Sequence, residues 1–255
     1  MRAIDSTTNR FGGVLPRPEA LKGDPGSFTE QLRHSLAAWK EKGYLLVWLE
    51  IPIAKSALIP VAVEQGFSFH HSGEDYLMLT LQLKDGAFIP GYSTHFVGAG
   101  GVVINDRDEL LVVCENYLVS SDRPPFFKLP GGLLHQGEHL VTGVMREVRE
   151  ETGIETEFER VVCFRHWHGY RHGKSDIYFV CLLRPLNETI VRQEEEIAQC
   201  LWMPLQEYLD ADGVSLFNKE IVRAALTDTG VVPTEIVGHR NPELHEFFMP
   251  TELRS

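Results

Sequence analysis

The chain has 255 residues, enough for one large or two modest domains, and its 43% hydrophobic content suffices for a packed core. A formal net charge of -12 argues against a duplex-binding protein, which needs a basic face for phosphates. It leaves room for a small anionic substrate, whose site is set by local charge and metal. No stretch approaches the roughly 18 apolar residues of a membrane span, so no membrane partner is expected.

Residues 1–20 contain no apolar run, so no secretory signal is read. Cys114, Cys163, Cys181 and Cys200 are widely spaced, with no C-x-x-C. They read as buried thiols of a reducing compartment rather than a zinc site or disulfide framework, and a soluble cytoplasmic protein is expected. Residues 1–27 are rich in Gly, Pro and polar residues, with a short strand around Val14. A helix is predicted from Ser27 as cap, with Glu30 at the third helical position and Leu32, Leu36 and Trp39 inward, ending at Gly43. Tyr44 to Leu49 reads as a strand. Pro52 to Glu64 reads as a helix through Ala54, Leu58, Val61 and Ala62, stopped by Gly66. Phe67 to His71 and Tyr76 to Leu83 are two further strands. Adjacent in a strand, His70 and His71 are expected on opposite faces. This small α+β unit carries no catalytic constellation. Lys84 to Tyr92, with Asp85-Gly86 and Pro90-Gly91, has the turn chemistry of a linker. The domains read are 1–90, 91–230 and a tail, 231–255.

In the second domain, His95 to Asn105 holds a strand around Val102, Val103 and Ile104. Gly98, Gly100 and Gly101 precede that strand instead of opening a helix, which favours close packing over a phosphate loop. Asn105 to Asp108 is a hairpin turn into the strand Glu109 to Glu115, and Ser120 to Pro125 is a loop. From Leu140 to Thr152, Val141, Val144, Met145 and Val148 recur at helical spacing on one side of a wheel. Glu147, Glu150 and Glu151 stand at i, i+3 and i+4, so their carboxylates are expected on the opposite side. Gly143 lies on that side too. A helix-interior Gly is disfavoured by about 1 kcal/mol relative to Ala, and here it lets something approach the backbone. Clustered carboxylates need a cation, and hard oxygen donors suit Mg²⁺ or Mn²⁺ rather than zinc. Such an ion facing a Gly-rich turn suits pyrophosphate chemistry, since it neutralises phosphate charge and activates a water. Arg146 is placed to brace an adjacent carboxylate. A solvated acidic face would account for Glu150 and Glu151, but not for Gly132, Glu138 and Gly153 at their offsets.

Glu155 to Arg165 is strand-like, and His166 to Lys174 is a polar, aromatic, basic loop. Its histidines alternate and offer no clean pair for a hard ion. Trp167 and Tyr170 suit stacking on a base or nicotinamide ring, and Arg165, Arg171 and Lys174 suit phosphate. A plain surface loop is the alternative. Ser175 to Arg184 is a strand, and Leu205 to Leu209 and Asn218 to Thr227 are helices. From Val232 the tail, with Pro233, Pro242 and Pro250, is loosely patterned and is expected to pack on the body or on a second subunit.

Gly132, Glu138, Arg146, Glu147, Val148, Glu150, Glu151, Gly153 and Ile154 match every position of the Nudix box, Gly-x5-Glu-x7-Arg-Glu-U-x-Glu-Glu-x-Gly-U, where U is bulky and apolar. The lead-in Phe127-Lys128-Leu129-Pro130-Gly131-Gly132 fits as well. The chain therefore resembles a Nudix hydrolase. The resemblance implies Mg²⁺-dependent hydrolysis of a nucleoside diphosphate linked to a group X, with Mn²⁺ as the other candidate ion. It implies metal binding by Glu147, Glu150 and Glu151 with Gly132, and Glu138 beside them or structural. Arg146 joins the catalytic set, and substrate contacts are expected from Gly131, Gly132, Phe127, Arg165, Trp167, Tyr170 and Arg171.

Residues 43–79 and 164–185 resemble a two-domain Nudix subfamily that includes plant ADP-ribose/NADH pyrophosphatases and a vertebrate protein encoded antisense to a fibroblast growth factor gene. The implied fold class is α+β: a Nudix α/β/α sandwich with a mixed sheet, preceded by a small acetyltransferase-like α+β domain. The acetyl-CoA loop of true acetyltransferases is not present, so that first domain reads as scaffold, interface or substrate-site wall. The subfamily implies ADP-ribose or NADH, cut to AMP plus ribose 5-phosphate or nicotinamide mononucleotide, and suggests a homodimer. Family members often use an acid in a late loop. Glu196, directly before Ile197, matches best, although an exposed acid run explains Glu194 to Glu196 equally. Either a box Glu or Glu196 is the base. The rival readings are another nucleotide substrate (a dinucleoside polyphosphate, CoA, an RNA cap or an oxidised nucleotide) and a non-catalytic nucleotide-sensing module. Such sensors usually lose box carboxylates, and all are kept here.

Overall fold

The computed structural model describes residues 2–118, 125–235, 241 and 243–250. The loop read at Ser120 to Pro125 falls outside them except for Pro125, as does Pro242. The chain divides into two compact units, one through Ser93 and one from Thr94.

The first unit is a five-stranded sheet built from β1 (Ser6–Thr8), β2 (Gly13–Pro16), β3 (Leu46–Pro52), β4 (Ser68–Ser72) and β5 (Tyr76–Gln82), in the order β1-β2-β3-β5-β4. Helix α1 (Pro25–Glu41) packs Phe28, Leu32 and Trp39 onto Val47, Leu49 and Leu79. Its cap is Asp24 rather than Ser27: the Asp24 carboxylate accepts the Ser27 N–H at 2.8 Å. Pro25 then takes the first helical position, where its missing N–H is harmless. The helix expected over Pro52–Glu64 is broken. A 3₁₀ stretch (Ile53–Leu58) contains a non-helical Lys55, and only α2 (Ile59–Glu64) is α-helical. Pro60 has no N–H for the Ser56 carbonyl, which the Ile59 N–H takes instead, and Ala54 is left exposed.

The expectation for His70 and His71 is overturned. A β-bulge interrupts the β4–β5 register between Phe69 and His71. The extra residue turns both rings to one side, with their Nδ1 atoms 2.7 Å apart. His70 Nε2 meets the Pro90 carbonyl at 2.7 Å, and His71 stacks on Tyr92 with centroids 4.4 Å apart.

The second unit contains β6 (His95–Val103), β7 (Glu109–Glu115), β8 (Gly131–Leu133), α3 (Leu140–Thr152), β9 (Thr156–Trp167), β10 (Ser175–Pro185), β11 (Ile197–Pro204), α4 (Leu205–Asp210), α5 (Leu216–Ala225), β12 (Val231–Pro233) and β13 (Phe248–Pro250). Its mixed sheet runs β13-β12-β9-β10-β6-β8, with β10 parallel to β6 and antiparallel to β9, and β7 pairs with β11 as a separate antiparallel ribbon. Strand β11 is not announced by the sequence because it does not alternate: Ile197 and Met203 are buried, Gln199 is exposed, and the other residues between are partly covered. Val144, Val148 and Ile154 pack with Val103, Leu111 and Leu183 on one face. Tyr208, Ile221 and Val222 pack with Val102, Val112 and Val180 on the other. Helices on both faces of a mixed sheet make this unit an α/β/α sandwich. Helix α5 starts two residues earlier than read, because the Ser215 hydroxyl accepts the Asn218 N–H at 3.2 Å. The tail packs on the body of its own unit: β12 pairs with β13 and meets β9 at Val161. No helix among the described residues is long and apolar enough to cross a membrane.

Candidate active site

Helix α3 spans the residues its periodicity implies, and Gly153 closes it with φ +75°, a left-handed conformation suited to Gly. Val144 and Val148 are fully buried, which fixes the rotation of the helix. Glu147 and Glu150 then project toward a cavity of about 1360 Å³, whose wall also includes Glu151. The three carboxylates are not equivalent. Glu151 is only 5% exposed, and one of its oxygens accepts the Gly131 N–H at 2.9 Å. Burial pushes its pKa up to about 7; the neighbouring Glu147 and Glu115 add to this, and Lys128 and the Gly131 N–H oppose it.

Arg146 is the hub of this wall. It grips Glu138 through two hydrogen bonds of 2.7 and 2.8 Å, and donates to Glu147 and Glu150 at 2.9 Å each. It also reaches the Leu133 carbonyl at 3.2 Å. The grip of Glu138 raises the Arg146 pKa above its ordinary value, and the Glu138 carboxyl is correspondingly held down to about 2. The other Glu138 partner is the His135 N–H at 2.9 Å. Both Glu138 oxygens thus accept hydrogen bonds, and Glu138 does not line the cavity, a placement that suits a brace for Arg146. Gly143 admits the approach expected of it. A Cβ there would lie 2.2 Å from Leu134 and 3.1 Å from the Glu138 carboxylate.

The turn opposite α3 is nearly pure main chain. A Cβ on Gly132 would sit 2.5 Å from a Glu147 carboxylate oxygen. One on Gly131, which has φ +148°, would sit 2.3 Å from the Ala99 carbonyl and 2.8 Å from the Tyr178 hydroxyl. Phe126 and Lys128 line the cavity, whereas Phe127, expected as a substrate contact, packs against the core cluster that holds Val102 and Leu129.

Among the described residues, no three His, Cys, Asp or Glu side chains are grouped as an ion cage. Arg146 draws Glu147 and Glu150 together, while Glu151 turns to Gly131. The donors nevertheless fit a hard divalent ion: three carboxylates of one helix line one wall, with no thiolate or imidazole among them, opposite a turn stripped of side chains.

Arg165, Trp167, Tyr170 and Arg171 line the same cavity. Arg165 donates to the buried Asp176 at 2.5 Å, and its guanidinium lies 5.3 Å from the Trp167 ring, 5.4 Å from Tyr178 and 5.7 Å from Phe217. Its Nε is buried with no hydrogen-bond partner among the described residues. Trp167 and Tyr170 meet at 5.2 Å, and Arg171 covers Tyr170 at 5.1 Å. Glu196 stands exposed at the rim, where its carbonyl holds the Asn116 N–H at 2.8 Å. Sequence reasoning missed Glu115, Lys128, Tyr178 and Phe217. Burial disfavours the Glu115 charge, but hydrogen bonds from Lys128 and Tyr117 outweigh it and leave its pKa below the usual value. Tyr178 had a signal: Gly98 and Gly100 on the paired strand leave space for its ring.

A family model of the Nudix hydrolase domain matches residues 4–83, and one of the NUDIX domain matches residues 94–225. Nudix hydrolase 8 of Arabidopsis thaliana is 38% identical over 243 residues, covering 92% of this chain and 66% of that relative. Nudix hydrolase 7 of the same plant is 42% identical over 211 residues, covering 81% and 74%. Nucleoside diphosphate-linked moiety X motif 6 of Homo sapiens is 35% identical over 230 residues, covering 88% and 72%. A solved NUDIX hydrolase from Nitrosomonas europaea aligns with a TM-score of 0.42 at 21% identity, covering 51% of this chain and 86% of that one.

Proposed function

The chain belongs to the Nudix hydrolase family, and from that premise we propose that it is a Mg²⁺-dependent pyrophosphatase acting on a nucleoside diphosphate linked to a group X. ADP-ribose or NADH is the proposed substrate, with AMP as one product. The observation that carries this reading is the mixed lining of one cavity. Glu147, Glu150 and Glu151 line it together with Arg165, Trp167, Tyr170 and Phe217. The carboxylates suit the cation of a pyrophosphate, and the aromatic residues suit a planar ring system. The printed name of the human relative, which specifies a nucleoside diphosphate-linked moiety, agrees with that substrate class.

Glu147, Glu150 and Glu151 would hold the ion, which when bound supplies charge neutralisation and an acidified water. Arg146 keeps Glu147 and Glu150 side by side, so two of the three donors are already neighbours. Gly132 keeps the opposing turn free of side chains, so that a phosphate can reach the carboxylate wall. Two carboxylates are the candidates for the proton acceptor. Glu151 sits in the wall with a raised proton affinity, and Glu196 stands at the rim. The first unit, through Ser93, is proposed to be non-catalytic.

The test is product release with Mg²⁺ on a panel of ADP-ribose, NADH, NAD⁺, diadenosine polyphosphates, CoA and 8-oxo-dGTP, with Glu150→Gln and Glu151→Gln as controls. Turnover of ADP-ribose or NADH, lost by about 10²-fold or more in the controls, supports the reading. Turnover only on another member keeps the chemistry and removes the proposed substrate. Metal binding with no turnover on any member favours a nucleotide sensor.

A further inference from the structure

The N-terminus of α3 has no local cap. The residue at the cap position is His139, whose side chain makes no capping hydrogen bond, and Ser, Thr, Asp or Asn would be the usual choice there. The first amides are satisfied instead by a residue 106 positions downstream: one Glu246 oxygen accepts the Leu140 N–H at 2.5 Å, and the other accepts the Val141 N–H at 3.3 Å. A carboxylate there also meets the positive end of the helix dipole.

Glu246 is firmly held. It belongs to the returning strap, whose Thr234 N–H donates to the Phe247 carbonyl at 2.7 Å. Two residues on, Phe248 packs against Phe158, with ring centroids 6.2 Å apart, within the core cluster that contains Val144 and Val148 of α3 itself. The strap therefore holds α3 at its end and is itself anchored in the core cluster to which α3 belongs.

We propose that Glu246 is a positioning residue for the active site: its carboxylate clamps the first turn of α3 and thereby sets the placement of Glu147, Glu150 and Glu151. The inference rests on the reading of that helix as the metal-binding element. The mechanical path is short. Glu147 lies about two turns, roughly 10 Å, beyond Leu140. Glu138, which Arg146 grips with its two strongest hydrogen bonds, lies only two residues before the clamped amide. Fraying of the first turn loosens Glu138, then Arg146, and so frees the Glu147 and Glu150 carboxylates from each other. A helix of 13 residues has little stability of its own to resist this.

The experiment uses the full chain as wild type, Glu246→Ala, Glu246→Gln and Leu209→Ala. Mn²⁺ affinity is measured by electron paramagnetic resonance well below the unfolding temperature, together with amide exchange of the first α3 turn. Leu209 lies in the opposite core layer, so its truncation reports the effect of lost stability alone. Glu246→Ala is expected to weaken Mn²⁺ binding about 3- to 10-fold and to expose the Leu140 and Val141 amides to exchange. Glu246→Gln, which keeps one acceptor oxygen, should fall between, and Leu209→Ala should leave Mn²⁺ affinity within about twofold. Unchanged affinity in Glu246→Ala, or an equal loss in Leu209→Ala, overturns the proposal. If Glu246→Ala does not fold, Glu246→Gln decides by the same criteria. Intact Mn²⁺ binding without turnover on the substrate panel sinks the proposed activity and leaves this inference standing. Turnover with an affinity indifferent to Glu246 does the reverse, and a wild type that binds no Mn²⁺ sinks this inference.

Discussion

Replacing Glu151 with Gln should make the metal-free protein more stable at alkaline pH while removing its activity. The carboxyl is 5% exposed, and burial raises its pKa from 4.5 to about 7. Between those values the folded chain keeps a proton that the unfolded chain releases. Stability contributed at this site therefore falls as pH rises from about 4.5 to about 7, and is level above that. At about 1.4 kcal/mol per unit, the shift amounts to about 3 kcal/mol of destabilisation at pH 8.5. Glu151→Gln removes this and keeps an acceptor for the Gly131 N–H, whose effect on the carboxylate is already within the shift. The gain is about 3 kcal/mol, which for a unit of this size is about 6–12 °C in Tm. The assay is thermal unfolding in EDTA at pH 5 and pH 8.5. The gap between variant and wild type should open at pH 8.5 and nearly close at pH 5. A variant no more stable than wild type at pH 8.5, or a gap independent of pH, would refute the reasoning that Glu151 is held as a strained, desolvated charge.

Three further outcomes are expected. Gly131→Ala should lower stability by about 2 kcal/mol or more, read by chemical denaturation, because its Cβ would lie 2.3 Å from the Ala99 carbonyl on a backbone with φ +148°. Arg146→Lys should lose most of the activity removed by Arg146→Ala, since one ammonium cannot serve Glu138, Glu147, Glu150 and the Leu133 carbonyl together; kcat of the two variants compares them. The His71 pKa lies below 6.5, mainly through burial and then through His70, so the first unit should lose stability as pH falls below about 6.5. Thermal unfolding of that unit between pH 7.5 and 5 measures this, and His71→Phe should flatten the dependence.

Helix α3 was legible to the residue because three independent signals coincide in one short window: the apolar period, the terminal glycine and the carboxylate spacing. What periodicity concealed was the burial of Glu151. On a wheel it sits among its acidic neighbours, and only the Gly131 N–H, brought in by β8, gives that charge a place inside. Phe126 and Phe127 look alike as adjacent aromatics, and only the fold shows that Phe126 lines the cavity while Phe127 packs on the core. The bulge at His70 inserts one residue into an otherwise regular alternation, which no local composition announces. Glu246 has no local signal at all, since its partner amides belong to main chain far away in the sequence. Local chemistry was readable, and juxtapositions set by strand pairing were not.

The glycine-lined side of the cavity has a consequence for how this protein can change. Gly131 and Gly132 present backbone where other sites present side chains, and a methyl group added at either meets an atom within 2.5 Å. Substitution there offers no graded adjustment, only obstruction. New ligand preferences must therefore be written on the opposite bank, at Trp167, Tyr170 and Phe217, where the rings are partly open to solvent and can be exchanged singly. The chemistry and the choice of ligand are borne by different surfaces, and a directed-evolution library confined to that bank can alter the second while leaving the first untouched.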